Sequence, residues 1–314
     1  MYAVTVNGLR KNYLKNKAGK FVGLNLTPPL DKFEVERGEI FGIIGPDGAG
    51  KTTLFRILAT LILPDEGSAT VEGYDVISDY KKIRNITGYM PGRFSLYPDL
   101  TVKENLEFYA SVFGTTIQEN YSTIEAIYRQ LEPFAARRAS KLSGGMKQKL
   151  ALCCALVHKP SLILLDEPTT GVDPVSRKEF WQMLRILSQR GITIIISTPY
   201  MDEASLCDRI ALMRNGSFMK IETPQKIVES FGEALYAAKS DDMYKLLNDI
   251  RQFGQIKRCY TFGEMHRFTV NGDGFNAVEF AEELKAAGHA NIKVVPAKPT
   301  VEDCYMQFAE KDDE

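Results

Sequence analysis

The chain has 314 residues, 39 basic and 40 acidic side chains and a formal net charge of −1, with 44% hydrophobic and 25% charged residues. That length suggests about two domains, and that composition is ordinary for a folded chain. No overall field draws such a chain to nucleic acid or to an anionic membrane, although local basic patches are compatible with it.

Along the first ~30 residues Val4, Val6, Leu24 and Leu26 alternate in the manner of strands. The start, Met1 to Val6, lacks a basic-then-apolar secretory pattern. Glu39–Gly45 is a short apolar strand that runs into a Gly-rich loop, and Thr52–Leu63 has helical periodicity, which makes a strand–loop–helix unit. Residues 93–160 read as mostly helical, with apolar positions three and four apart in Thr101–Phe113, Ile117–Leu131 and Gly144–Val157. Leu162–Leu165 and Ile192–Ile196 are short continuous apolar runs of the kind found in buried parallel strands, with an amphipathic crossover helix at Val175–Gln189. These runs fall far short of the ~20 apolar residues of a membrane helix, so the chain is not expected to cross a membrane and any path through one would belong to a partner. After Ile221 the break Glu222-Thr223-Pro224 opens a different pattern. It reads strand 234–238, helix 241–253, strand 256–262, strand 267–270, helix 275–287 and strand 292–296, then a closing helix 301–308 and a frayed tail at Lys311–Glu314. The expected fold is an α/β P-loop core over 1–222, with a helical subdomain at about 93–160, and a small α+β domain over 223–314 of βαββαβ, ferredoxin-like order. Five cysteines without a spacing framework fit a reduced compartment; Cys153 and Cys154 read as structural thiols, and no metal-ligand spacing joins the Cys and His residues.

Residues 45–53, Gly-Pro-Asp-Gly-Ala-Gly-Lys-Thr-Thr, fit the phosphate-binding loop G-x-x-x-x-G-K-[ST] in its proper strand–loop–helix context. Gly45, Gly48 and Gly50 permit a tight turn whose N–H groups, with those of Pro46–Thr53 that have one, point at phosphate oxygens. In this reading Asp47, Ala49 and Thr53 complete the nucleotide-binding stretch, Lys51 reaches the β- and γ-phosphates, and the Thr52 hydroxyl is a Mg²⁺ ligand. Asp166 ends an apolar run and should emerge beside that loop at the carboxyl edge of the sheet, as a direct or second-sphere Mg²⁺ ligand. Glu167 comes next as the candidate base for the attacking water. Tyr13 has two readings, stacking on adenine or packing in the core.

Together with Leu142-Ser-Gly-Gly-Met146 and Leu162-Ile-Leu-Leu-Asp-Glu-Pro168, this order of motifs resembles the ATPase subunit of an ABC transporter. The resemblance implies that Ser143, Gly144 and Gly145 bind the γ-phosphate held by an opposite subunit, with Met146 in place of the usual Gln. It also implies that Asp173, in Gly171-Val-Asp-Pro, lies in a loop through which facing subunits touch. Two positions depart from the family pattern: Gly92 stands where a Gln is usual, and Pro199 where a His is usual. The flanks Tyr97-Pro-Asp-Leu-Thr-Val and Met201-Asp-Glu-Ala fit the family on either side.

Further stretches, Gly45-Pro-Asp-Gly, Arg93-Phe-Ser-Leu-Tyr and Leu142-Ser-Gly-Gly-Met-Lys-Gln-Lys, are similar to the ATPases of ABC-2 type drug exporters, in particular the N-terminal half of bacterial tandem-ATPase systems. The specific motifs cover about 1–222; the C-terminal part is similar only in length and in its ending, Pro299-Thr-Val-Glu-Asp-Cys. This resemblance implies an ATP- and Mg²⁺-dependent ATPase, peripheral on the inner face of the cytoplasmic membrane. Its partners would be ABC-2 type permease subunits and a second ATPase domain, with no nucleic acid expected. Its own site is expected to turn over slowly, as half of an unequal pair. The rival readings are a non-hydrolytic ATP-dependent clamp and a soluble ABC protein acting on ribosomes or DNA.

Overall fold

A computed structural model describes residues 2–13, 22–92, 96–271 and 274–311. Arg93, Phe94 and Ser95 of the family flank and the tail at 312–314 lie outside the described residues. Two compact units divide the chain, Met1–Gln225 and Lys226–Glu314.

In the first unit, β1 (Tyr2–Tyr13) pairs antiparallel with β2 (Val22–Asn25) and with β3 (Lys32–Glu36). The chain then enters β4 (Ile40–Ile44), whose residues are all buried, and α1 (Lys51–Leu58). β5 (Glu66–Val71) returns to pair with β1, and the two-residue β6 (Tyr74–Asp75) pairs with β5. Beyond α2 (Tyr80–Ile86) comes β7 (Thr87–Met90). A helical insertion comes next: α3 (Val102–Val112), α4 (Tyr121–Tyr128) and α5 (Gly144–Leu156). The chain re-enters the sheet at β8 (Leu162–Asp166), crosses on α6 (Pro174–Gln189), and continues through β9 (Thr193–Thr198), β10 (Arg209–Arg214) and β11 (Ser217–Glu222).

The main sheet has the order β11-β10-β4-β9-β8-β7, parallel except for β11 at one edge. Its central strands read Ile-Phe-Gly-Ile-Ile, Leu-Ile-Leu-Leu-Asp and Thr-Ile-Ile-Ile-Ser-Thr and are buried throughout, as strands covered on both faces must be. Side chains of both sheets and of α1 merge in one core that includes Val4, Leu24, Phe33, Phe41, Leu54, Phe55, Leu164 and Ile195. This layering holds the carboxyl ends of β4, β8 and β9 side by side, and the candidate site is built there.

Two predicted helices are shorter than their periodicity suggests. α1 stops at Leu58 rather than Leu63 because Thr60 turns left-handed at φ 60°. There its N–H donates to Ile57 O and that of Leu61 to Arg56 O, which closes the last turn. The 117–131 stretch is helical only over α4. Asn120 Nδ2 donates sideways to Thr115 Oγ1 and Val157 O, 2.8 and 2.7 Å, and a separate Thr116–Glu119 turn precedes the helix.

The second unit opens within α7 (Pro224–Glu229) and runs β12 (Leu235–Lys239), α8 (Met243–Gln252), β13 (Ile256–Phe262), β14 (Met265–Val270), α9 (Ala277–Ala286), β15 (Lys293–Pro296) and α10 (Val301–Lys311). Its sheet order is β13-β14-β12-β15 with every pairing antiparallel, which is the split-βαβ arrangement. Phe268, Phe275, Phe280 and Tyr236 form an aromatic cluster at its core, beside Leu246, Ile250 and Leu284.

Candidate nucleotide site

The loop between β4 and α1 is shaped by its glycines. Gly50 adopts φ 107°, and a Cβ there would meet Met213 Cε at 2.9 Å and Gly23 O at 3.0 Å, so neither the conformation nor the space admits a side chain. Ala49 O accepts from Gly216 N at 2.8 Å, which fixes the back of the loop to the β10–β11 turn. On the inner side a cavity of about 130 Å³ is lined by Gly23, Gly48, Ala49, Gly50, Lys51, Thr52, Thr53 and Glu167.

Lys51 is almost fully buried. Its ammonium donates to Gly45 O and Pro46 O at 2.8 and 3.0 Å and forms an ion pair with Glu167 Oε1 at 3.0 Å. Asp47 sits on the exposed outer turn of the loop. The Thr52 hydroxyl donates to Asp166 Oδ1 at 3.2 Å, which brings two side-chain oxygens together at the start of α1. Mg²⁺ is a hard cation that takes oxygen ligands, usually one or two from protein and the rest from phosphate and water, and this pair fits it. The positive-φ glycines and the α1 N-terminus provide the donors a phosphate needs.

Asp166 and Glu167 are oriented by a residue that the motifs do not single out. Ser197, fully buried near the end of β9, donates its hydroxyl to Asp166 Oδ1 at 2.7 Å. The same Oγ, with Ser197 O, accepts from Glu167 N at 3.0 and 3.1 Å. Glu167 is held at φ 50°, a left-handed conformation uncommon for a residue with a side chain. The signal for Ser197 was present in the sequence: a hydroxyl residue closing an apolar strand that neighbours the strand ending in Asp166. Nearby, burial first and then the Asp166 charge push the Tyr89 hydroxyl up to about 12.

Gly92 packs against this carboxylate pair. A Cβ at 92 would stand 3.1 Å from Asp166 O and 3.8 Å from Glu167 Cβ, so position 92 overlooks Glu167 but offers no functional group. Pro199 comes directly after Thr198, whose carbonyl accepts from Gly45 N at 3.3 Å. It therefore borders the loop without an N–H or a polar side chain. Tyr13 lies at the end of β1 and is 37% exposed, which removes the core reading. It pairs across the ladder with Val22, next to Gly23, but does not line the cavity.

Ser143, Gly144, Gly145 and Asp173 make a separate cluster. Ser143 caps α5 by accepting from Met146 N at 3.3 Å, and Asp173 caps α6 by accepting from Ser176 N at 2.9 Å. A Cβ on Gly145 would fall 2.6 Å from Ser176 Oγ, so the two helix starts approach as closely as glycine allows. None of these four residues lines the loop cavity.

A family model described as ABC transporter matches residues 31–170. The Nod factor export ATP-binding protein I of a Rhizobium species is 33% identical over 88% of this chain and 90% of its own length. The chain belongs to the ATP-binding proteins of ABC transporters. The probable multidrug ABC transporter ATP-binding protein YbhF of Escherichia coli is 37% identical over 97% of this chain, which spans about half (52%) of that relative's length. Among solved structures, an ATP-binding subunit of an ABC transporter superposes with a TM-score of 0.63 at 27% identity, covering 73% of this chain and 93% of that one. A dimeric ATP-binding cassette in a post-hydrolysis state with ADP and Pi gives 0.61 at 26% identity, covering 70% and 98%. ABC cassettes hydrolyse ATP, dimerise and work with transmembrane permeases; among the described residues here no helix is long and apolar enough to cross a membrane.

Proposed function

We propose that this chain is the ATPase subunit of an exporter, binding Mg–ATP at 45–53 and driving ABC-2 type permease partners at the inner face of the cytoplasmic membrane. The observation that carries the catalytic part is the Ser197 bridge. One buried hydroxyl aligns Asp166, beside Thr52, and the backbone of Glu167, beside Lys51. Lys51 and the loop N–H groups bind and orient the phosphates, Thr52 and Asp166 hold Mg²⁺, and Glu167 takes up the proton of the attacking water. Bound Mg²⁺ neutralises charge on the transferred phosphoryl group.

Ser143–Gly145 and Asp173 act on the nucleotide of a facing ATPase domain, which fits their separation from the loop cavity. The permease contact we assign to a groove of about 440 Å³ whose lining includes Leu61, Met90, Leu96, Val112, Phe113 and His158. It begins at the β7 residues leading into Gly92, so a helix seated there is positioned to read the nucleotide site. Residues 223–314 form an accessory domain. Export as the direction of transport rests on the relatives named for multidrug and Nod factor export.

Within this reading the chain's own site is the slow half of an unequal pair, because Gly92 and Pro199 supply neither of two polar contacts. One missing transition-state donor costs on the order of 10²–10³ in rate. The test is steady-state ATPase of the purified chain with Mg²⁺. Pro199→His is expected to raise turnover at least tenfold with little change in nucleotide affinity. Gly92→Gln must also displace the Asp166 carbonyl and is expected to cost about 1–2 kcal/mol of stability. Robust turnover in the unmodified chain that Pro199→His leaves unchanged would overturn the slow-site reading. ATP-driven dimerisation with no turnover in either form would point to the clamp instead.

A further inference from the structure

Lys149 lies on α5, four residues beyond Gly145, and is nearly buried. Its ammonium donates to Glu179 Oε2 on α6 at 2.6 Å and to Gln130 Oε1, just beyond α4, at 2.7 Å. Glu179 is three residues beyond Ser176, which itself meets Gly145. Residues three or four apart share a helix face, so the two contacts form one seam between α5 and α6. At the start of the seam a glycine admits close approach; one turn later an ion pair bridges the helices. The seam joins two functional stretches of one chain, Ser143–Gly145 at the N-terminal start of α5 and Gly171–Asp173 ahead of α6. Gly144 belongs to it too, since a Cβ there would lie 3.5 Å from Gly171 O. Lys149 and Gln130 both belong to the helical insertion, whereas α6 packs on β4 and β9 of the core sheet, so the bridge ties the insertion to the core.

We propose that Lys149 is a positioning residue for hydrolysis in the facing subunit: its bridge to Glu179 and Gln130 keeps the Ser143–Gly145 and Gly171–Asp173 loops in register as one rigid unit. The proposal rests on the reading that both loops act across a dimer interface. Lys149 touches neither loop's functional atoms directly; it acts through helix placement. Misplacement by about 1 Å is enough to cost on the order of 10²-fold in rate. Arginine can keep the charge and reach both acceptors, whereas methionine keeps the stem and loses the donors.

The decisive experiment uses mixed dimers of two differently tagged full-length chains. One carries Lys51→Ala and cannot bind ATP in its own loop. The other keeps its loop but carries Gly144→Glu. The pair then has a single live site, made of the second chain's loop and the first chain's Ser143–Gly145. Lys149→Met on the first chain is expected to lower single-turnover ATP hydrolysis about tenfold or more, and Lys149→Arg to restore most of it. The same Lys149→Met on the second chain should leave hydrolysis within about twofold, which a merely structural role would not do. Equal loss from either placement, or none from both, overturns the proposal. If the parent mixed dimer has no turnover, whether because the chain's own site is slow or because the loops do not act across subunits, amide exchange in the full chain decides the part that concerns register. There Lys149→Met should speed exchange at Met146, Lys147, Ser176 and Arg177 about tenfold while amides in α1 stay protected. Unchanged exchange at those four positions overturns the proposal on its own.

Discussion

Glu167 is held by its surroundings in a backbone conformation it would not choose. At φ 50° a residue with a Cβ gives up roughly 1–2 kcal/mol, and the two bonds from its N–H to Ser197 keep it there. This conformation places Oε1 beside Lys51 at the mouth of the loop cavity. Stability and activity should therefore separate at this position. Glu167→Gln is expected to cut turnover by on the order of 10²–10⁴ while ATP affinity stays within a few-fold. Glu167→Gly is expected to be equally inactive yet more stable than Glu167→Gln, because both lose the Lys51 ion pair and only glycine relieves the left-handed strain; urea midpoints of the three proteins check it. In the sequence this residue is marked by its neighbours, an apolar run before it and a proline after. Neither the strain nor the part played by Ser197 is marked there, since φ and cross-strand hydrogen bonds depend on which strands become neighbours. For Tyr13 the sequence left core and adenine stacking equally open, and its exposure removes the first.

Periodicity located helices and strands well where they are long or fully apolar, and less well at their ends. α5, α6 and the central strands fall close to the apolar patterns, but α1 stops early and α4 starts late because a tertiary contact intervenes. At the end of α1, Arg84 donates to Thr60 Oγ1 and Thr60 O at 2.9 and 2.8 Å and so supports a left-handed threonine that no local rule would place there. A second element contact has a pH signature. Phe113, which ends α3, and His158, just past α5, stack with ring centroids 3.8 Å apart and planes 8° from parallel. Burial lowers the His158 pKa to about 4. In the unfolded chain the ring takes up a proton near pH 6.5, while in the folded chain it stays neutral until about 4. The folded form is thus favoured above pH 6.5 and loses stability as the pH falls from 6.5 toward 4. The loss is at most about 3 kcal/mol, less for a ring that is partly open to solvent. His158→Phe keeps the stack and removes the proton. Its urea midpoint should fall less between pH 7 and pH 5 than that of the parent, and identical slopes in the two proteins would count against His158 as the titrating group.

At the scale of the whole molecule, the change of pattern after Ile221 was legible because the ATPase motifs stop and a different alternation of strands and helices begins. What holds the second unit together was not legible, because its main polar anchor joins the β13–β14 hairpin to a helix much further along the chain. Asp303, in the terminal Pro299-Thr-Val-Glu-Asp-Cys stretch, is completely buried. It accepts from Thr300 N and Thr300 Oγ1, both at 2.7 Å, from the Tyr260 hydroxyl at 2.5 Å, and from Arg267 in an ion pair. The first two bonds start α10, and the others tie it to β13 and β14 across the sheet from α8 and α9. Cys304 Sγ and Gln307 Nε2 add bonds from α10 to Ile227 O and Phe231 O, so the helix also secures the segment that opens the unit. A carboxylate with this many donors cannot be neutralised without leaving the Arg267 charge uncompensated, and breaking a buried pair from one side costs about 3–5 kcal/mol. Asp303→Asn is therefore expected to destabilise residues 226–314 by several kcal/mol, read as faster amide exchange in β13 and β14. These partners of Asp303 all belong to that unit, so nucleotide affinity at 45–53 should stay within about twofold. Replacing Arg267 and Asp303 together by apolar residues of similar size should recover part of the loss, since neither partner is then left buried alone. Exchange in β13 and β14 that Asp303→Asn leaves unchanged would mean that the aromatic cluster around Phe268 carries the unit without its polar anchor.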